Sequence, residues 1–380
     1  MIRLVVAGFA GLLVIASAGF GVWLWSLPAT VNPAADIPAP TETQAMLNAL
    51  RPAQAGRPTI AVIGLNDATE ITDYIYPTGV LRRADIADVV MLATTEGSVQ
   101  LYPALAVQPD ETIAQFDARL PAGADYVIVP AMSRDNDPAV MAWLREQSRK
   151  GAIIIGVCAG AKVVAAAGLL DGKRATTHWY YLPDLLKLQP NIEYVPDRRM
   201  VIDGNVVTTT GISASMPMML TLIEAIAGRD KAAAVASELG IEQWDARHAS
   251  GAFRFTRDFA GQVLGNTLAF WNREELGIAL EPGIDELSLA MVADAWSRSY
   301  RSRAVTFAET DEILSKGGIR VLPDLKVTEW PAEDTVSLFP TQPVAEALDE
   351  TLFEIGRRYG AGTSDVVAMQ LEYPRPDPGL

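Results

Sequence analysis

The sequence predicts a doubly wound α/β fold, with a parallel sheet covered by helices on both faces. Three observations predict it. The β-branched runs are continuous rather than alternating, helical patterns separate them, and one run leads straight into a small-residue turn. Residues 59–63 (TIAVI) read as a buried strand, followed by a helical stretch to Arg83. Residues 89–92 (VVML) are a second strand, and 126–129 (YVIV) a third, entered from AGAD. Residues 138–150 suit a helix. Residues 153–157 (IIIGV) are a fourth strand, and small residues from Ala159 to Ala167 form the helix after it. Residues 206–209 (VVTT) are another strand, with a helix to Ala227.

The chain has 380 residues, 49% apolar and 20% charged, which is a folding composition with room for two ordinary domains or one large one. With 31 basic and 46 acidic residues the net charge is −15, and no basic tract occurs, so nucleic acid is not an expected partner. One cysteine and two distant histidines allow no disulfide framework and give no basis for a metal site; no cofactor is expected either.

Residues 4–27 (LVVAGFAGLLVIASAGFGVWLWSL) carry no charge. As a helix they would span about 36 Å, more than a hydrocarbon core of about 30 Å. The pattern predicts a single-pass anchor over 1–27. Arg3 lies on the cytoplasmic side, and the C-terminal domains lie on the periplasmic or extracellular side. A signal peptide cleaved after residues 16–18 (ASA) is the alternative. Residues 28–57, with five prolines, read as a linker holding one short helix, in which Thr41 and Gln44 resemble a capping box.

The chemistry concentrates in 156–179 (GVCAGAKVVAAAGLLDGKRATTHW). Cys158 follows a buried strand and precedes a small-residue helix, the setting of a nucleophile elbow. A thiol at a helix N-terminus is expected to favour thiolate, with nearby amides positioned for an oxyanion; a buried inert cysteine is the alternative. Lys162, one turn into the helix, is expected to face solvent, and His248 to be a surface or packing histidine.

These motifs, CAGA, AGLLDG and ATTHW, together with VVTTTGISASMPMM downstream, resemble the ThiJ/PfpI family of the class I glutamine-amidotransferase-like superfamily. The resemblance spans about residues 58–230 and implies a flavodoxin-like sheet. It implies Cys158 as nucleophile or oxidisable thiol. It places Asp73, four residues before Pro77, as the acid beside the thiol, with a raised pKa. His178 becomes a pocket residue available as acid or base. The Gly156 and Ala159 amides become anion donors, and Glu70 and Gly211 become binding residues, Glu70 being the weaker candidate for the acid. Ala159 departs from the threonine usual in the regulator-like and isocyanide-hydrating branches, which argues against isocyanide hydration.

After a connector over 231–276, residues 277–324 resemble the family's opening again: strand, acidic turn, helix, strand, then GGIRVLPD, paralleling LYPALAVQPD at 101–110. Ser288 stands at the acid position, with Asp285 and Glu286 near it, and no cysteine follows. Residues 277–372 are therefore expected to be a truncated, catalytically dead repeat, or else an unrelated α/β extension. Residues 335–339 are expected to continue its sheet, 344–358 to be a helix, and 373–380 a tail. The two halves are expected to pack together within one chain or between copies.

The expected function is cysteine chemistry on a small electrophile (an aldehyde, dicarbonyl or amide) by a hydrolase-, glyoxalase- or amidase-like protein held to the membrane. The alternative is a non-catalytic small-molecule or redox sensor related to GlxA-like sensor domains of AraC-type regulators, without DNA binding.

Overall fold

The computed structural model describes residues 19–374 apart from 30, 32 and 55. The first unit runs α1 (Pro40–Ala49), β1 (Thr59–Gly64), β2 (Thr69–Glu70), α2 (Ile71–Ala84), β3 (Asp88–Ala93), β4 (Val99–Tyr102), β5 (Ala106–Gln108), β6 (Glu111–Thr112) and α3 (Ile113–Arg119). It continues through β7 (Tyr126–Val129), α4 (Pro138–Arg149), β8 (Ile153–Gly156), α5 (Gly160–Ala166), β9 (Arg174–Ala175), α6 (Leu182–Leu188), β10 (Glu193–Tyr194), β11 (Met200–Asp203), β12 (Val206–Thr209), α7 (Ile212–Ala227) and α8 (Arg229–Leu239).

Seven strands form the main sheet in the order β11-β12-β8-β7-β1-β3-β6. All neighbours are parallel except the antiparallel β11–β12 pair at one edge. Strands β7 and β12 are buried at every residue, as continuous apolar runs between two helical layers must be. One layer contains α4 and α5, with Trp143, Leu144, Val163 and Val164 under the sheet. The other contains α2 and α7 and merges with the core of the second unit.

That second unit follows α9 (Arg257–Leu268). It comprises β13 (Glu274–Ala279), α10 (Glu286–Ser297), β14 (Ser302–Ala308), β15 (Ile313–Leu314), β16 (Arg320–Leu322), β17 (Leu325–Lys326), α11 (Ala347–Tyr359) and α12 (Ala361–Leu371). Strands β13, β14 and β17 make a parallel three-stranded sheet. Strand β16 pairs antiparallel with β5 of the first unit, with Val321 opposite Val107. Helix α10 lies on α2. The Tyr76 hydroxyl donates to the Leu287 carbonyl at 3.1 Å, and Gly79 leaves room for the crossing, since a Cβ there would meet Glu286 Oε1 at 2.7 Å. Arg83 pairs with Asp285 at 2.8 Å and with fully buried Glu286 at 2.9 Å.

Several expectations need correction. Among the described residues no helix is long and apolar enough to cross a membrane. Residues 1–18 of the apolar run lie outside the described residues. Residues 19–26 are helical. This stretch ends against the folded chain, where Arg257 donates to the Trp25 carbonyl at 2.7 Å and Trp23 lies 6.2 Å from the Phe255 ring. The single-pass anchor, the membrane partner and the non-cytoplasmic placement derived from it lose their basis. Helix α1 starts at Pro40, earlier than the capping pattern implied, and Thr41 caps nothing. Proline at the first helical position has no N–H to leave unpaired and a φ already suited to the helix. Residues 335–339 add no strand to the second sheet. Only a bridge from Thr335 to Gly277 forms, after a 3-10 turn at Ala332–Asp334.

Candidate active site

Cys158 sits between β8 and α5 with φ +55°, a left-handed conformation costly for any residue but glycine. Its amide donates to Thr209 Oγ1 at 3.2 Å, and its carbonyl accepts from Thr177 Oγ1 at 3.0 Å. Two glycines make the sharp turn possible. A Cβ at Gly160 would fall 2.0 Å from the Val129 carbonyl oxygen, and one at Gly156 would press on Ala161 and Val164 at 3.0–3.1 Å. Gly156 is therefore a packing residue inside β8, away from the pocket, and not the anion donor expected of it. Ala159 does line the pocket, and its amide faces the sulfur.

Cys158 opens onto a pocket of about 650 Å³. Asp73 and Glu70 reach it from the start of α2, and Tyr102, Met132 and Tyr181 line it from the rest of the first unit. Phe255, Phe259, Arg298 and Tyr300 close it from beyond that unit. Asp73 is buried, and Oδ2 accepts from the Ala131 amide at 2.9 Å. Burial and the neighbouring Glu70 push its carboxyl well above the usual range. Glu70 caps α2 by accepting from the Asp73 amide at 2.7 Å, and it pairs with Arg298 at 2.7 Å.

His178 does not take the acid–base role expected of it. Its Nδ1 accepts from the Tyr180 amide at 3.3 Å, so the ring proton is assigned to Nε2, which donates to the Gln370 carbonyl at 2.9 Å. Both nitrogens are committed to backbone, and burial pushes the pKa down, which keeps the ring neutral. Gly211 is likewise no ligand contact. Its amide donates to Glu372 Oε2 at 2.8 Å. A Cβ there would meet Glu372 Cβ at 2.6 Å and the Leu371 carbonyl at 2.7 Å. Gly211→Ala should therefore cost about 1–3 kcal/mol, read as a lowered thermal midpoint; an unchanged midpoint would show that the seam yields freely. Lys162 is not free in solvent but pairs with Asp135 at 2.8 Å over the Tyr181 ring, 5.1 Å from its centre. His248 is buried, stacked on Phe253 and 3.1 Å from Glu372.

The thiol itself is pushed up, first by burial and then by Asp73, Glu70 and Glu372; the Ala159 amide pulls it down and loses. The expected activated thiolate gives way to a thiol held in its protonated form, because burial first, and then the nearby carboxyls, disfavour the charge. Alkylation of Cys158, the single cysteine, should therefore inflect above the free value of about 8.5. Asp73→Asn should inflect lower, since an amide stays neutral in the range where Asp73 would ionise. A wild-type inflection below the free value would contradict this electrostatic picture.

Among the described residues no cluster of histidine, cysteine and carboxylates is placed to hold a metal ion. Arg298, Asp294 and Glu372 escaped the sequence reading, because what ties them to the site is distant: Arg298, which also holds Asp294, reaches Glu70 across 228 positions, and Glu372 reaches Gly211 across 161.

The model of the DJ-1/PfpI family matches residues 59–225. This segment is a DJ-1/PfpI family domain. Isonitrile hydratase of Pseudomonas putida is 41% identical over 27% of the chain, which spans 44% of that relative's length. The Parkinson disease protein 7 homolog of Danio rerio is 29% identical, over 47% of the chain and 95% of its own length. The HTH-type transcriptional regulator CdhR of Pseudomonas aeruginosa is 38% identical over 27% of the chain and 30% of its own. Among solved structures, Drosophila melanogaster DJ-1beta aligns with 28% identity and a TM-score of 0.45, over 50% of this chain and all of that one. The match to the family model thus stops well before Arg298 and Gln370, which line the pocket from the remainder of the chain.

Proposed function

We propose that Cys158 attacks a small carbonyl-type electrophile, an aldehyde, dicarbonyl or amide, held in the aromatic pocket. The observation that carries this reading is the left-handed cysteine at the pocket floor beside buried Asp73. With the thiol and the carboxyl both protonated, the suited step is acid-assisted addition. The sulfur–carbon bond forms as the C=O π bond breaks. Asp73 gives its proton to the new oxyanion and takes the proton that sulfur loses, so the pair ends with its original charge.

The second unit serves this domain as a built-in partner, a shortened copy without a nucleophile. Two parallels support that reading. Strand β3 pairs with β6 as β14 pairs with β17, Leu92 opposite Glu111 and Phe307 opposite Leu325. In each, the aspartate just before the short strand accepts from the residue just before the pair, Asp110 from Met91 and Asp324 from Thr306. The proposed units are 58–230 and 277–372, joined by 231–276.

The test is incubation with aldehydes, dicarbonyls, amides and an isocyanide, followed by intact mass and turnover. A Cys158 adduct or turnover with a carbonyl compound is expected; inertness to every class would sink the reading. A second reading, ligand or redox sensing without turnover, is favoured by the committed His178 and by the similarity to transcriptional regulators. It predicts a thermal shift with ligand, or a 32 Da mass gain at Cys158 with peroxide as oxidant.

A further inference from the structure

The walls of the Cys158 pocket come from two separate apolar clusters. Cys158 and Ile212 belong to the main core. Phe259 and Val263, one turn apart on α9, pack instead with Trp179 and Tyr300 in a smaller cluster. Phe255 stands edge-on to Phe259, with ring centres 5.5 Å apart. Trp179 is fixed in place: its Nε1 donates to the Met369 carbonyl at 2.7 Å, and its ring meets Phe259 edge-to-face at 5.8 Å. This wall is a preformed aromatic surface, and apart from Trp179 it comes from beyond residues 59–225. The charges at the pocket are already spent. Among the described residues that line it, Lys162 is paired with Asp135, Arg298 with Glu70, and both nitrogens of His178 with backbone. An anionic tail finds no free cation there. A cationic tail finds no free carboxylate, since Glu70 is taken and Asp73 is held well above the usual carboxylate range.

We infer that the substrate of this site is an aryl aldehyde, uncharged and carrying one or two fused rings, with Phe255, Phe259, Val263 and Tyr300 as the wall that determines specificity. The inference rests on Cys158 being a nucleophile towards carbonyls and narrows that reading. The pocket of about 650 Å³ falls in the range of roughly 300–1,000 Å³ that takes drug-sized ligands. A two- or three-carbon dicarbonyl would leave most of it to water and the aromatic wall wetted. A ring laid against Trp179 and Phe259 releases that water and gains ring–ring contact. An aldehyde, with a hydrogen on the reacting carbon, is the carbonyl least hindered in approaching a thiol at the pocket floor. Tyr102 and Tyr180, also in the lining, are 61% and 53% exposed, so the ring enters without the two units separating.

Calorimetric titration of the full chain with 1-propanol, benzyl alcohol and 2-naphthalenemethanol tests the pocket apart from the chemistry, because alcohols do not react with the thiol. Affinity should rise along the series, by about a hundredfold or more from first to last; equal affinities would overturn the inference. Val263→Trp fills the space beside Phe259 and should weaken the naphthyl alcohol by about tenfold or more. Should tryptophan there prevent folding, Phe255→Ala at the more exposed end of the wall is the second variant, with an expected loss of about fivefold. Full affinity in a folded variant would overturn the inference as well. With 2-naphthaldehyde and propanal, loss of the carbonyl signal should be faster for the aryl compound by about tenfold or more. Inertness to both aldehydes alongside graded alcohol affinity would sink the nucleophile reading and uphold the aryl site. Reaction with both alongside level alcohol affinity would do the reverse.

Discussion

Cys158→Ala is expected to abolish adduct formation and to lower any turnover by a factor on the order of 10⁴ or more. Nothing else can take the place of the sulfur. The chain has no second cysteine, and His178 has both nitrogens bonded to backbone. Asp73 sits deep in the same floor, but a protonated carboxyl is a poor nucleophile. The fold should survive, because alanine fills most of the thiol's volume and keeps the two backbone hydrogen bonds to the threonines. Steady-state kinetics and circular dichroism of the variant check both halves of this statement. Undiminished turnover in a folded Cys158→Ala protein would remove the sulfur from the mechanism and leave the pocket as a binding site.

Arg83→Met should be the most damaging single change at the seam between the units, at about 3–5 kcal/mol. Glu286 has no exposed surface and takes its charge partner from Arg83, with one further hydrogen bond from the Gly317 amide at 2.8 Å. Methionine keeps the aliphatic bulk but strands a buried carboxylate. Urea unfolding should show the loss, and Glu286→Gln in the same chain should recover most of it, because the stranded charge is then gone. A loss under about 0.5 kcal/mol would mean that water reaches Glu286. Because the same helix pair carries Glu70, Asp73, Asp294 and Arg298, this variant should also raise the exposure of the pocket corner, seen as faster alkylation of Cys158.

Five of the seven strands of the main sheet were legible because each is a local pattern; β6 and β11 at its edges were not marked. Residues 126–129 and 206–209 announce buried strands by composition, and the observed strands occupy those positions. The elbow was legible for the same reason: strand, cysteine and small-residue helix follow one another directly between Ile153 and Ala166, and Gly156 and Gly160 are needed where a Cβ would collide. What misled was chemistry inferred from that neighbourhood alone. A helix N-terminus suggests a thiolate, but burial, and after it three carboxyls from distant segments, push the thiol up. A histidine twenty residues on suggests a proton carrier, but the Gln370 carbonyl, 192 positions away, holds its Nε2.

The sequence by itself determined the α/β class, the main strands in their order along the chain and the strand–cysteine–helix turn; Asp73 entered only through the family resemblance. The class, the strands and the turn depend on hydrophobic period, turn chemistry and spacing, all of which act over a few residues. Only the tertiary structure decided the site's electrostatics: the protonated thiol, the committed His178 and the Arg298 clamp on Glu70 across 228 positions. Ionisation depends on burial and on every charge within a few ångströms, and those neighbours are chosen by packing rather than by sequence proximity.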